Sequence, residues 1–110
     1  MAYDESLAQR IRTLVKTQTG LSEKKMFGGL AFLVNGNMSI AASGQGGLLV
    51  RVDPAQTDML VAATKAKVMM MRGRDMPGWL RVATDDSTSD AELAQWAELG
   101  ISYARSLPPK

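Results

Sequence analysis

Apolar positions along the chain keep two rhythms. Leu7, Ile11, Leu14 and Val15 recur at helical spacing, on a helix that Asp4 caps and that runs to about Thr19, where Gly20 ends it. Arg10, Arg12, Lys16 and Gln18 fall mostly off that stripe, so the helix is expected to lay one side on a sheet. From Met26 to Val34 the period drops to two, and both alternating sets are apolar. Leu30, Phe32 and Val34 form one set; Phe27, Ala31 and Leu33 form the other. A strand of that kind is central, or has its second face covered by a partner. Gly28-Gly29 interrupts it, which suggests a bulge or a close backbone approach.

Asn35-Gly36 marks a hairpin into a second strand, from about Met38 to Ala42. A bare two-residue turn would pair Val34 with Asn37 and set Leu30 and Phe32 beside Ser39 and Ala41. A type I turn with Gly36 as the bulge residue instead puts Met38, Ile40 and Ala42 on the face of Leu30 and Phe32. That is the better hydrophobic match and the expected register. The loop Gly44-Gln45-Gly46-Gly47 leads to a third strand, Leu48 to Val52. Asp53-Pro54-Ala55-Gln56 reads as a cap, a first-turn proline and a capping-box glutamine, opening a helix to about Ala63. A fourth strand covers Val68 to Met71 and a fifth Trp79 to Val82. Ser89-Asp90-Ala91-Glu92 is a second capping box, and its helix runs to about Leu107 before Pro108-Pro109 stops it. Leu93, Trp96, Ala97, Gly100, Tyr103, Ala104 and Leu107 make its inner stripe.

The order is therefore α-β-β-β-α-β-β-α, with joints too short for parallel crossovers. It predicts the α+β class: a two-layer α/β sandwich with a mainly antiparallel five-stranded sheet, one domain over residues 1–110. The first strand is expected to pair across the fold with Gly73-Arg74-Asp75-Met76-Pro77-Gly78-Trp79.

Composition narrows the chemistry. The 110 residues contain neither Cys nor His, which removes thiol nucleophiles, disulfides, thiolate metal sites and imidazole bases together. No paired carboxylates stand out, so no catalytic residue, cofactor or metal site is expected. Gly44 to Gly47 joins strand to strand and opens no helix for a phosphate, and Gly73 with Gly78 has P-loop spacing but Trp79-Leu80 in place of Lys-Ser/Thr. The N-terminus lacks the basic and apolar regions of a signal peptide, and no apolar run reaches membrane-spanning length; a cytoplasmic protein is expected.

Charge is small in sum and uneven in place. Through Val82 the chain holds 11 Lys and Arg against 6 Asp and Glu; beyond it, two against five. The sheet half is basic and the last helix acidic, although nucleic-acid domains usually carry a denser Lys/Arg footprint. Methionine is abundant, eight in the chain with Met69-Met70-Met71 in a row. Consecutive strand residues point to opposite faces, so this run suits plastic packing or an adaptable contact surface better than a metal.

Met26-Phe27-Gly28-Gly29, the Asn35-Gly36-Asn37-Met38 turn, Leu49-Val50-Arg51-Val52 and Gly73-Arg74-Asp75-Met76-Pro77-Gly78-Trp79 together resemble the TfoX N-terminal domain family, over about residues 5–107. That family takes its name from a regulator of natural competence. The resemblance implies a two-layer α/β fold with an antiparallel sheet and a non-catalytic regulatory or protein-interaction role, in the setting of transcription regulation. Full-length competence regulators carry a second, helical domain, so this chain resembles the short stand-alone members.

The candidate interaction residues are Lys24, Lys25, Met26, Phe27, Gly28, Gly29, Arg51, Arg72, Gly73, Arg74, Met76, Pro77, Gly78 and Trp79. The same glycines and Trp79 could equally serve turns and core. Because helices cover one side of a two-layer sheet, the apolar second face predicts a homodimer or a stable protein partner. The alternative is a nucleic-acid-binding domain using Lys24, Lys25, Arg51, Arg72, Arg74 and Arg81.

Overall fold

The computed structural model describes residues 3–26, 28–44, 46–71, 73–85 and 87–109. Phe27 and Arg72, both candidate interaction residues, lie outside them. The elements are α1 (Glu5–Val15), β1 (Leu21–Met26), β2 (Gly29–Val34), β3 (Asn37–Ala42), β4 (Leu48–Arg51), a 3-10 turn (Pro54–Gln56), α2 (Thr57–Ala63), β5 (Lys67–Met71), β6 (Arg74–Val82) and α3 (Asp90–Ser106). Local chemistry sets the helix starts. Asp4 accepts the Leu7 N–H at 3.1 Å, and Ser89 accepts the Glu92 N–H at 3.1 Å. Asp53 accepts the Ala55 N–H, but Gln56 adds no side-chain cap, and the chain makes the 3-10 turn before α2 begins. α1 stops at Val15, short of Thr19, because residues 16–20 are exposed and offer nothing to bury.

The sheet is six-stranded, in the order β1-β2-β3-β4-β6-β5, antiparallel at every joint. It exceeds the expected five by β1, whose sequence Leu-Ser-Glu-Lys-Lys-Met is polar and mostly exposed. Such an edge strand is recruited by the backbone of β2 rather than by its own apolar pattern, and its charges guard the edge. β2 does not pair with residues 73–79, since β3 and β4 lie between them. Those residues instead belong to β6, which starts at Arg74 and pairs with β5. An irregularity between Val68 and Met69 takes up Pro77, Gly78 and Trp79, which is how a proline is tolerated inside a paired strand.

The β2–β3 hairpin corrects the expected turn. Asn35 (φ 53°) and Gly36 (φ 85°) are both left-handed, the geometry of a bare two-residue turn, and Val34 pairs with Asn37. The register then shifts deeper in: Leu33 opposes Met38, while Phe32 opposes Ile40 and Leu30 opposes Ala42. Ser39 is the extra residue, so the bulge sits in the strand and not at Gly36. Two contacts hold it there. The Ser39 hydroxyl donates to the Phe32 carbonyl at 2.8 Å, and Gly100 of α3 lies so close that a Cβ on it would collide with the Ser39 carbonyl oxygen. Leu30 and Phe32 thus meet Ile40 and Ala42 as hydrophobic matching requires, while Met38 goes to the other face.

The main core lies between one face of the sheet and the helices. Ile11 and Val15 of α1, Leu60 of α2, and Leu93, Trp96 and Ile101 of α3 close over Phe32, Ile40, Leu48, Val50, Leu80 and Val82. Trp96 is buried there, as its place on the stripe predicts. Arg10 bridges α1 to the start of α3, bonding the Asp90 carboxylate at 2.8 Å and the Thr88 carbonyl. Asn37 donates to the Pro108 carbonyl at 3.0 Å and ties down the chain after α3.

Candidate functional site

The opposite face of the sheet carries a second apolar cluster built from strand residues. Ala31, Met38, Ala41 and Leu49 are its buried members, and Met26, Leu33, Met69 and Trp79 pack around them half-buried. Every strand contributes, and no helical side chain among the described residues belongs to it. The strand registers arrange this face in rows. One row crosses all six strands: Lys24 opposes Ala31, Ala31 opposes Ala41, Ala41 opposes Leu49, Leu49 opposes Arg81, and Arg81 opposes Lys67. Cross-strand partners share a face, so the row is apolar in the middle and cationic at both ends. The neighbouring rows hold Leu33 opposite Met38 and Arg51 opposite Trp79. Met76 opposes Met69, and Arg74, two residues before it, falls on the same side.

Arg51 is fixed by aromatic rings. Its guanidinium carbon lies 5.2 Å from the Trp79 ring centre and 5.6 Å from that of Tyr103 on α3. Both distances suit cation–π attraction, which a planar guanidinium makes well. Arg51 therefore clips the end of α3 to the sheet while adding positive charge beside the apolar rows.

Among the described residues the strands put no carboxylate on this face. Among the described residues the strands contain two, Glu23 and Asp75. Glu23 opposes Phe32 of the main core and pairs with Arg12 of α1 at 2.7 Å. The hydrogen bond from Arg12 outweighs partial burial and holds the Glu23 carboxyl below the usual range. Asp75 lines a cleft with Pro54, Thr57, Asp58 and Val61, beside the 3-10 turn and α2. The ion pairs Arg10–Asp90, Arg12–Glu23 and Lys65–Glu92 each use a helix or the approach to one.

Of the residues expected to act, Lys24, Met26, Arg51, Arg74, Met76 and Trp79 share the second face. Lys25 opposes Leu30 and takes the other side. The glycines build turns. Gly28 (φ 75°) and Gly29 form the β1–β2 corner rather than a bulge, and a Cβ on Gly29 would strike the Ala42 carbonyl. Gly73 (φ 76°) occupies the β5–β6 corner. Gly78 (φ 88°) donates to the Thr57 hydroxyl at 2.7 Å and accepts the Val52 N–H at 2.8 Å, so Pro77-Gly78 is where the 3-10 turn and α2 dock. Sequence reasoning left out Lys67 and the row Ala31, Ala41 and Leu49. The apolar period of β2 was the one available signal for that row.

Other concavities offer less. An open cleft of about 630 Å³ between α1 and α3 is lined by Leu14, Ala94, Glu98, Ile101 and Arg105 among others. Arg105 is committed there to Gln18 and the Thr19 carbonyl. Among the described residues no three His, Cys, Asp or Glu side chains come together as a metal site, and no helix is long and apolar enough to cross a membrane.

No curated protein and no solved structure matches the chain. The family model for the TfoX N-terminal domain matches residues 13–104, from the second half of α1 nearly to the end of α3. On that match, and on the α+β architecture that accompanies it, the chain belongs to the TfoX N-terminal domain family.

Proposed function

We propose that the chain is a non-catalytic interaction module of the competence-regulator type, which meets a protein partner through the helix-free face of its sheet. The observation that carries this reading is the second apolar cluster, drawn from all six strands. Its half-buried rim, Met26, Leu33, Met69 and Trp79, is the part that a partner would meet, and Met26 and Met69 give that rim the adaptability of thioether side chains. A regulatory setting, including transcription regulation, accords with the family. The test is Leu33→Glu, which places a carboxylate in the cluster without touching the main core. Proteins retained from the source cell by the immobilised wild-type chain should be lost with Leu33→Glu and kept with Glu98→Lys on the exposed side of α3. Equal retention by all three, with the variants folded, would refute the reading.

A second reading, nucleic-acid binding, is favoured by Lys24, Arg74 and Arg81 lying on that same face. Micromolar duplex or single-strand binding with a steep salt dependence, lost on charge reversal at Arg74, would put it first.

A further inference from the structure

We infer that β5 is the contact edge for a second copy of this chain, the two β5 strands pairing antiparallel about a two-fold axis at Met69. The sheet then runs on from one copy into the other. This contact is separate from the partner site above and does not depend on it. The sheet ends in two edges of opposite character. β1 carries Ser22-Glu23-Lys24-Lys25, charges that guard an edge against pairing. β5 reads Lys67-Val68-Met69-Met70-Met71, and from Val68 onward it has no charge, proline or glycine. Nor is β5 interrupted: the extra residues of the irregularity, Pro77, Gly78 and Trp79, belong to β6. Among the described residues the exposed large apolar side chains are Met59, Val61 and Met70, all on α2 and β5. Met70 is 62% exposed, the most of the three.

A two-fold contact must complement itself, and both faces of β5 do so. With Met69 opposite its own counterpart, Val68 falls opposite Met70 and Lys67 opposite Met71. Val68 and Met70 are on the helix side, since Val68 opposes Leu80 of the main core and Met70 opposes Asp75 beside α2. Each exposed Met70 therefore lies across from the half-buried Val68 of the other copy, which shares a cleft with Val61. On the helix-free side Met76 opposes Met69, so the junction carries four thioethers in one row, Met76 and Met69 from each copy. That row makes the second clusters of the two copies continuous. Like charges stay apart. Lys67 stands four residues out of line with its counterpart, about 14 Å away and beyond the screening length at physiological salt. Arg74 of the other copy comes two strands from Lys67, where both are exposed and screened. Two-fold pairing of β1, by contrast, would set Glu23 on Glu23 or Lys24 on Lys24. A strand from another protein would have to bring its own complement, which β5 already supplies.

The test is sedimentation of the full chain at micromolar concentration, joined to single-cysteine cross-linking, which is clean because the chain has no cysteine of its own. Wild type should sediment with the mass of two chains. Met70→Lys, at an exposed position opposite Asp75 of its own sheet, should stay folded by circular dichroism and sediment as one chain. Directly opposed residues of antiparallel strands have Cα atoms about 4.5–5.5 Å apart, within reach of a disulfide. Mild oxidation should therefore link Met69→Cys into a covalent dimer several-fold faster than Met70→Cys, whose two copies stand about 8 Å apart across the junction. Leu33→Glu, on β2, should leave the two-chain mass unchanged even where it abolishes partner retention. A wild type that sediments as one chain throughout the micromolar range overturns the inference. So does a two-chain species that survives Met70→Lys, or one that Met70→Cys links as fast as Met69→Cys.

Discussion

Gly100→Ala sets two effects of opposite sign against each other. Alanine in place of glycine inside a helix normally stabilises by about 1 kcal/mol, through lower backbone entropy in the unfolded chain. Gly100 sits in the middle of α3, directly over the Ser39 bulge, and a Cβ there would meet the Ser39 carbonyl oxygen, its carbon and its Cα. These are backbone atoms in a strand paired on both sides, so they cannot swing aside as a flexible side chain would. α3 must therefore lift by about 1 Å, a gap that forfeits up to half of the dispersion well for each contact it opens. Trp96, Ala97, Ile101 and Ala104 flank the point of contact and would all feel it. Overpacking of this kind costs about 1–3 kcal/mol, which outweighs the propensity gain or at best cancels it. Urea unfolding followed by tryptophan fluorescence measures the balance, with a lower midpoint expected at unchanged slope. A variant more stable than wild type by the full helix-propensity increment would refute the claimed close approach of α3 to β3.

Three further outcomes follow from the same structure. Trp96→Ala should cost about 3–5 kcal/mol in chemical unfolding, because it empties a large site beneath α3; a change under 1 kcal/mol would mean that α3 docks otherwise. Gly36→Ala, at a left-handed position in the hairpin turn, should cost about 1–2 kcal/mol by the same assay, and an unaffected midpoint would contradict the two-residue turn. Because Arg12 depresses the folded-state pKa of Glu23, their interaction is fully present above the ordinary value of 4.5 and is lost as pH falls below it through the folded value. Glu23→Gln should therefore match wild type at low pH, where Glu23 is protonated, and fall slightly below it above pH 4.5, the gap being small because the pair is largely solvated; identical pH profiles for the two would deny the coupling.

Most of the fold was legible where side chains advertise themselves. Asp4 and Ser89 cap the helices they were expected to cap, and the stripe on α3 is the buried one, apart from half-buried Tyr103 and Leu107. β1 was missed because an edge strand needs only a backbone to pair with, and Ser22-Glu23-Lys24-Lys25 carries no apolar alternation. The early part of β6 was missed because Met76-Pro77-Gly78 reads as a turn, and only pairing with β5 makes it a strand. The candidate face was half visible: Arg51, Trp79 and Lys24 were named, but not the apolar row Ala31, Ala41 and Leu49 that starts from Lys24 and runs beside the Arg51–Trp79 pair. That row depends on irregularities at Ser39 and between Val68 and Met69, which tertiary contacts such as Gly100 on Ser39 impose. The family glycines were conspicuous in sequence for a different reason. They make corners and close backbone approaches that the sheet requires.

The Ser39 bulge also divides the hairpin into two jurisdictions. From Val34 to Asn37 the pairing obeys the turn; from Leu30 to Phe32 and Ile40 to Ala42 it obeys the core. A change of length or handedness at Asn35-Gly36 would be taken up at Ser39, where one residue already stands out of register, before reaching Ala31 and Ala41. The tip is in this sense buffered. Substitutions there cost local turn strain, as at Gly36, while the row from Lys24 to Lys67 keeps its alignment.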